Sequence, residues 1–224
     1  MCGRFVGFRS LEELKENFPI DKADCEVTAS YNVAPSQEIL AIINMAGENR
    51  LDKFHWGLVP FWAKDISIGN RMINARSETI AEKPSFRNAF KKRRCLILAD
   101  GFYEWKGEKG HKQPMFITLP DRKPFAFAGL WETWNNKSGS APLYKSCTII
   151  TTQASETFSE IHHRMPVILK SEFYEPWLDS QNHDLDALKS ILKNEIHTDL
   201  VSYPVSKQVN SASHNKPSCI EPIA

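Results

Sequence analysis

The sequence predicts a strand-dominated α+β fold whose sheet is mostly antiparallel and barrel-like, with a few short peripheral helices. Short runs rich in branched and aromatic residues recur along the chain, turn residues separate them, and no regular helices intervene as a doubly wound sheet would require. The runs are Ile39 to Ile43, Cys95 to Leu98, Phe102 to Trp105, Met115 to Leu119, Phe125 to Trp131 and Cys147 to Thr151. Helical signals are fewer. Ser10-Leu11-Glu12-Glu13 is a capping box, after which Leu11, Leu14 and Phe18 repeat at helical spacing until Pro19. Pro84 to Phe90 and Ser155 to Ile161 read as brief helices, and Asp184 to Ile196 as a longer one with Leu185, Leu188, Leu192 and Ile196 on one face.

A chain of 224 residues can bury a sizeable core, and no linker or repeat divides it, so a single domain over residues 1–224 is expected. There is no apolar run of eighteen residues and no charged-then-apolar leader, so a cytoplasmic protein with no membrane partner is expected. Five cysteines, Cys2, Cys25, Cys95, Cys147 and Cys219, are scattered without a C-x-x-C pair. That argues against a disulfide framework and a zinc knuckle, and no metal ligands are assigned. With 28 basic and 27 acidic residues the net charge is +1, so a polyanion would have to be held by a local patch. Lys91-Lys92-Arg93-Arg94, with Lys83 and Arg87 upstream, could lie along phosphates or form a solvated face.

Cys2 carries the sharpest chemistry. Removing Met1 would place an amine and a thiol on one residue, with ordinary pKa values of about 8 and about 8.5, so a fraction of each would be nucleophilic at neutral pH. Such a pair traps aldehydes: the amine forms an imine, the thiol adds to its carbon, and a five-membered thiazolidine closes. A cysteine that merely packs is the other reading. No apolar stretch precedes Cys2, as a lipoprotein cysteine would need.

Several polar residues interrupt apolar surroundings. Glu104 sits in Phe102-Tyr103-Glu104-Trp105 on the same strand face as Phe102; buried, it would have a raised pKa suited to proton transfer, whereas composition favours an ordinary surface carboxylate. Asn74, Arg76 and Glu78 alternate, as on a binding face or a solvated edge, and Asn32 lies in Tyr31-Asn32-Val33-Ala34-Pro35, where a turn former is the plain reading. His162-His163-Arg164 occupies a loop before an apolar run, a position suited to a titrating or a merely exposed histidine. Trp56, Phe61, Trp62 and Trp105 are either core residues or stacking platforms.

Taken in order, Met1-Cys2-Gly3-Arg4-Phe5, Tyr31-Asn32-Val33-Ala34-Pro35, Trp56-Gly57-Leu58-Val59-Pro60, Ile73-Asn74-Ala75-Arg76-Ser77-Glu78-Thr79, Phe102-Tyr103-Glu104-Trp105-Lys106 and His162-His163-Arg164-Met165-Pro166 resemble the SRAP family, the SOS-response-associated peptidases. The resemblance extends through Val205-Ser206 and Ile220-Glu221-Pro222. It implies an α+β domain around a barrel-like core and a covalent crosslink to abasic sites in single-stranded DNA. It implies lyase-like imine chemistry without a cofactor. A monomer, associated with the nucleoid when bound to DNA, is expected, although the sequence itself carries no signal of oligomeric state. By the same resemblance Cys2 is the nucleophile, Glu104 the acid/base carboxylate, Asn74 the residue that positions the Cys2 amine and the sugar, and His162 the proton shuttle to the sugar oxygen. Arg4, Asn32, Arg76, Trp105 and Arg164 fall at its DNA-binding positions. The family commonly has an acidic residue after the site histidine, where this chain has His163. A thiol peptidase using Cys2 and His162, and a non-catalytic reader of modified bases, are the alternatives.

Overall fold

The computed structural model describes residues 2–108, 110–135 and 143–223. Their strands, in chain order, are β1 (Phe5–Gly7), β2 (Lys22–Ala23), β3 (Ser30–Val33), β4 (Glu38–Met45), β5 (Glu48–Trp56), β6 (Asn74–Arg76), β7 (Arg94–Ala99), β8 (Gly101–Lys106), β9 (Gln113–Thr118), β10 (Phe125–Trp134), β11 (Tyr144–Gln153), β12 (Arg164–Pro166), β13 (Ile168–Leu169) and β14 (Val201–Pro204). The helices are α1 (Leu11–Asn17), α2 (Arg87–Lys92), α3 (Glu156–Ser159), α4 (Tyr174–Leu178) and α5 (Leu185–Asn194).

The larger sheet runs β12-β11-β10-β7-β4-β5-β2, with β13 on β10 and β6 on β11, and the smaller runs β14-β9-β8-β1-β3. A parallel pairing of Ser146 with His55 and Cys147 with Trp56 joins β11 to β5, so β4, β5, β11, β10 and β7 follow one another in a closed ring. Closure leaves those strands without an open edge, which gives the expected barrel-like sheet. Period-two alternation then sorts their side chains. Leu96, Leu98, Ala126, Ala128 and Leu130 pack with Leu14, Trp177, Leu188 and Leu192 of the helices. Cys95, Ile97, Phe125 and Phe127 turn the other way, to Phe54, Trp56, and Phe5 and Phe102 of the smaller sheet. Both faces are covered, which is why β4, β7 and β10 read as largely apolar runs.

The capping box forms as expected, with Ser10 and Glu13 bonding reciprocally ahead of α1. The helix expected over 84–90 shifts to α2, because Pro84 and Ser85 belong to a turn in which the Lys83 carbonyl accepts from Phe86 and Arg87 N–H. Asp184 caps α5 instead of joining it, accepting from the Asp186 and Ala187 amides at 3.0 Å each.

The basic run is not one surface. Arg94 is buried, and its guanidinium donates to the carbonyls of Phe90 (2.9 Å), Lys91 (2.8 Å), Trp177 (2.8 Å), Asn182 (3.2 Å) and Asp179. Burial pulls its pKa down to about 10. Arg94 therefore ties α2 to α4 and the turn behind it. Arg94→Met is expected to destabilise the fold by about 2–4 kcal/mol, since it strands several buried carbonyls while keeping the apolar volume. Chemical denaturation checks this; an unchanged midpoint would mean that water replaces the guanidinium at no cost.

Candidate active site

Strand pairing brings the start of the chain to Glu104. Phe5 pairs with Phe102 and Val6 with Gly101, and the Tyr103 N–H donates to the Arg4 carbonyl at 2.9 Å. Continuing that register sets Gly3 level with Glu104 and Cys2 just beyond it. From the other side, β6 pairs in parallel with β11, Asn74 beside Ile149, and Asn74 Nδ2 donates to the Cys2 carbonyl at 2.8 Å. Asn74 Oδ1 is buried and has no partner among the described residues.

Glu104 is 4% exposed, not the surface carboxylate that composition favours. Strand β8 lies between β1 and β9, with Phe102 in the ring-side core and Tyr103 in the core on its opposite face, so both faces are covered. Burial pushes the Glu104 carboxyl from an ordinary 4.5 up to about 7. Cys2 is fully buried, and burial drives its thiol far above the usual range, with the nearby Glu104 charge adding to the shift. This corrects the expectation of a partly ionised thiol: at neutral pH the sulfur keeps its proton, and a base must remove it during any reaction.

His162 follows α3. Its Nδ1 lies 3.0 Å from both the N–H and the carbonyl oxygen of Arg164, so the Arg164 backbone holds that edge of the ring. The ring stacks on His163, centroids 4.3 Å apart. Burial lowers the His162 pKa, and the charges of His163 and Lys112 lower it further. The Lys112 charge also favours ionised Glu104, so this lysine faces two of the site groups. Sequence reasoning missed it, because a lone exposed lysine before a strand carries no motif.

The five residues that the resemblance places at DNA-binding positions differ in availability. Arg76 is exposed at the end of β6. Arg164 is engaged twice by Glu78, at 2.6 and 3.0 Å, and donates to the Thr151 carbonyl at 2.7 Å. Arg4 donates to Asn32 Oδ1 at 2.7 Å and to the Val209 carbonyl at 2.6 Å, and its guanidinium lies over Trp105. Asn32 is 1% exposed, a strand residue of β3 and not a turn former. Its amide donates to the carbonyls of Val209, Ser211 and His214. Its Oδ1 orients Arg4. Trp105 donates from Nε1 to Asn210 Oδ1 at 2.8 Å. Residues 209–214 thus brace this side of the site, a role that no local pattern announces.

Among the described residues no group of three or more His, Cys, Asp or Glu could hold a metal ion, and no helix is long and apolar enough to cross a membrane. All five cysteines are free thiols.

The architecture is a closed β-ring with a second sheet against it, and the polar cluster built on Cys2 sits at that sheet's β1–β8 ladder. Residues 1–212 match the family model for SOS response associated peptidase (SRAP), and the chain belongs to that family. It is 51% identical over 224 residues to the abasic site processing protein YoqW of Bacillus subtilis, covering 99% of each chain. It is 38% identical over 226 residues to the abasic site processing protein HMCES of Gallus gallus, covering 87% of this chain and 66% of that one. A crystal structure of a protein from Bacteroides thetaiotaomicron superposes with a TM-score of 0.84 at 25% identity, over 100% of both chains.

Proposed function

We propose that this protein processes abasic sites in single-stranded DNA by forming a thiazolidine between Cys2, exposed as the N-terminus by removal of Met1, and the open-chain aldehyde of the abasic sugar. Met1 lies outside the described residues. The observation that carries the reading is the convergence of two groups on Cys2: its carbonyl is held by Asn74 at 2.8 Å, and the buried Glu104, with a pKa near 7, lies close enough for its charge to act on the thiol. The Cys2 amine attacks the aldehyde carbon and the carbinolamine loses water to give an imine. The sulfur then adds to the imine carbon while the thiol proton ends on nitrogen. One water is released overall, and no electrons are exchanged. Glu104 takes the proton that makes the amine nucleophilic, and His162 moves protons at the sugar oxygen during ring opening. Asn74 Oδ1 is an acceptor available to the amine or the sugar hydroxyl.

The raised Cys2 thiol and lowered His162 tell against a thiol peptidase, which works from a low-pKa thiolate beside an imidazolium. A base reader would leave the burial of Glu104 beside Cys2 without a purpose. A denaturing gel of the processed protein with abasic and with intact single strands is the test. A heat-stable shifted band on the abasic strand alone is expected. Its absence, with mass spectrometry confirming Cys2 as the first residue, would overturn the reading.

Glu104 gives a prediction with two readouts. As a base it must be ionised, so the crosslinking rate should climb as pH rises through about 7. Glu104→Gln should remove that step and slow the reaction by roughly 10²- to 10⁴-fold without stopping it. Stability moves oppositely. The folded chain holds this proton up to about pH 7, whereas the unfolded chain releases it near 4.5, so the carboxyl's contribution falls as pH rises across that window. Glu104→Gln should therefore melt higher than wild type at pH 8 and nearly alike at pH 4. A rate profile that is identical in both proteins would remove Glu104 from the proton-transfer role.

A further inference from the structure

The basic run that the site does not use is divided by the fold into a structural half and an exposed half. Arg94 is spent on carbonyls, and Arg93 pairs with the buried Glu132 at 2.8 Å. The rest stands in solvent. Within α2, Ala89 and Phe90 are buried, whereas Arg87, Asn88, Lys91 and Lys92 are exposed. At 100° per residue these four span one continuous arc of about 140°, and Lys83, one turn upstream, extends it. Among the described residues none of Lys83, Arg87, Lys91 and Lys92 enters an ion pair, although many other surface cations do, including Lys22, Arg50, Lys106, Lys145 and Lys170.

Beneath this face lies a cleft of about 460 Å³ bounded by Lys91, Lys92, Arg93, Glu132, Thr133 and the exposed ring of Phe61. Arg93 Nε is buried there without a partner among the described residues. The cleft is joined to the site by the chain itself. Phe61 belongs to the segment that leaves β5 at Trp56 and returns at Asn74. That segment is fixed at both ends, Leu58 N–H to the Met72 carbonyl at 3.1 Å and Trp56 Nε1 to the Ile73 carbonyl at 2.9 Å, and in the middle by Trp134 Nε1 to the Ala63 carbonyl at 2.9 Å.

We propose that the exposed face of α2 and this cleft form a second track for a nucleic-acid backbone, holding DNA that extends beyond the reactive site. Unpaired cations at one-turn spacing, an arginine nitrogen without an acceptor and an open cleft complement a row of phosphates; a net charge of +1 leaves no other general source of attraction. The track extends the DNA reading given above but is tested apart from it, because binding of undamaged DNA requires no chemistry.

The test compares wild type with Lys91→Gln/Lys92→Gln, both exposed positions outside the catalytic cluster, using fluorescence anisotropy with undamaged single strands of about 6 and about 20 nucleotides across a salt series. The long strand should bind the variant roughly 25-fold more weakly in 0.1 M salt, with a salt slope smaller by about 1.4, as loss of two phosphate contacts dictates. The short strand should bind both proteins alike. Unchanged affinity and slope on the long strand would overturn the track, as would equal losses on both lengths, which would mean general attraction. If the length-dependent loss appears while wild type fails to crosslink an abasic strand, the track stands and the thiazolidine reading falls. Coincident thermal melts control for folding.

Discussion

Cys2→Ala is expected to give no heat-stable band with abasic single-stranded DNA. The thiazolidine needs a nucleophilic nitrogen and a nucleophilic sulfur on the same residue, and the substitution leaves only the nitrogen. The amine can still reach the aldehyde, but the imine it forms returns to its components by hydrolysis. Borohydride should therefore trap a covalent adduct with Cys2→Ala that heat alone does not preserve. Folding should survive, because the side chain is one small member of a core that also holds Phe5, Phe102 and Phe127, and losing one sulfur there costs about 1 kcal/mol. A Cys2→Ala protein that crosslinks to the wild-type yield and resists heating would end the mechanism, whatever its other properties.

What local pattern could reveal, and what it could not, follows from how each residue acquires its environment. Strands β7, β8, β10 and β11 were legible because both their faces are covered and their runs are rich in branched and aromatic residues. Strand β5 was not, because Leu51 turns to the helix-side core and Phe54 to the ring-side core, leaving charged residues between them with no clean alternation. α4 was hidden by Pro176, which a helix tolerates in its first turn but which reads as a breaker in isolation.

In the candidate site, the reactive type of Cys2 and the oddity of Glu104 inside an aromatic strand could be read directly. The burial of Glu104 depends on β1 and β9 flanking β8, a pairing between segments far apart in sequence. The same holds for Asn32, whose one side chain gathers three carbonyls from residues 209–214. The thiol's ionisation was misjudged for the same reason: a free cysteine's pKa says nothing of a residue that the fold buries beside a carboxylate.

The N-terminal amine, as distinct from the thiol, is isolated by extending the chain. One residue placed before Cys2 that resists removal converts the amine into an amide, whose nitrogen cannot form an imine, and leaves the sulfur untouched. Crosslinking should therefore disappear in the extended protein, while binding to undamaged single strands persists, because Arg76 and the α2 cations lie outside the β1–β8 ladder. Time courses of crosslinking beside wild type, with circular dichroism as the control for folding, measure both parts. Crosslinking at the wild-type rate by a protein whose extension is confirmed intact by mass spectrometry would place the nucleophile elsewhere, on an internal lysine or thiol. Lys112, whose charge acts on both Glu104 and His162, would then be the first residue to replace.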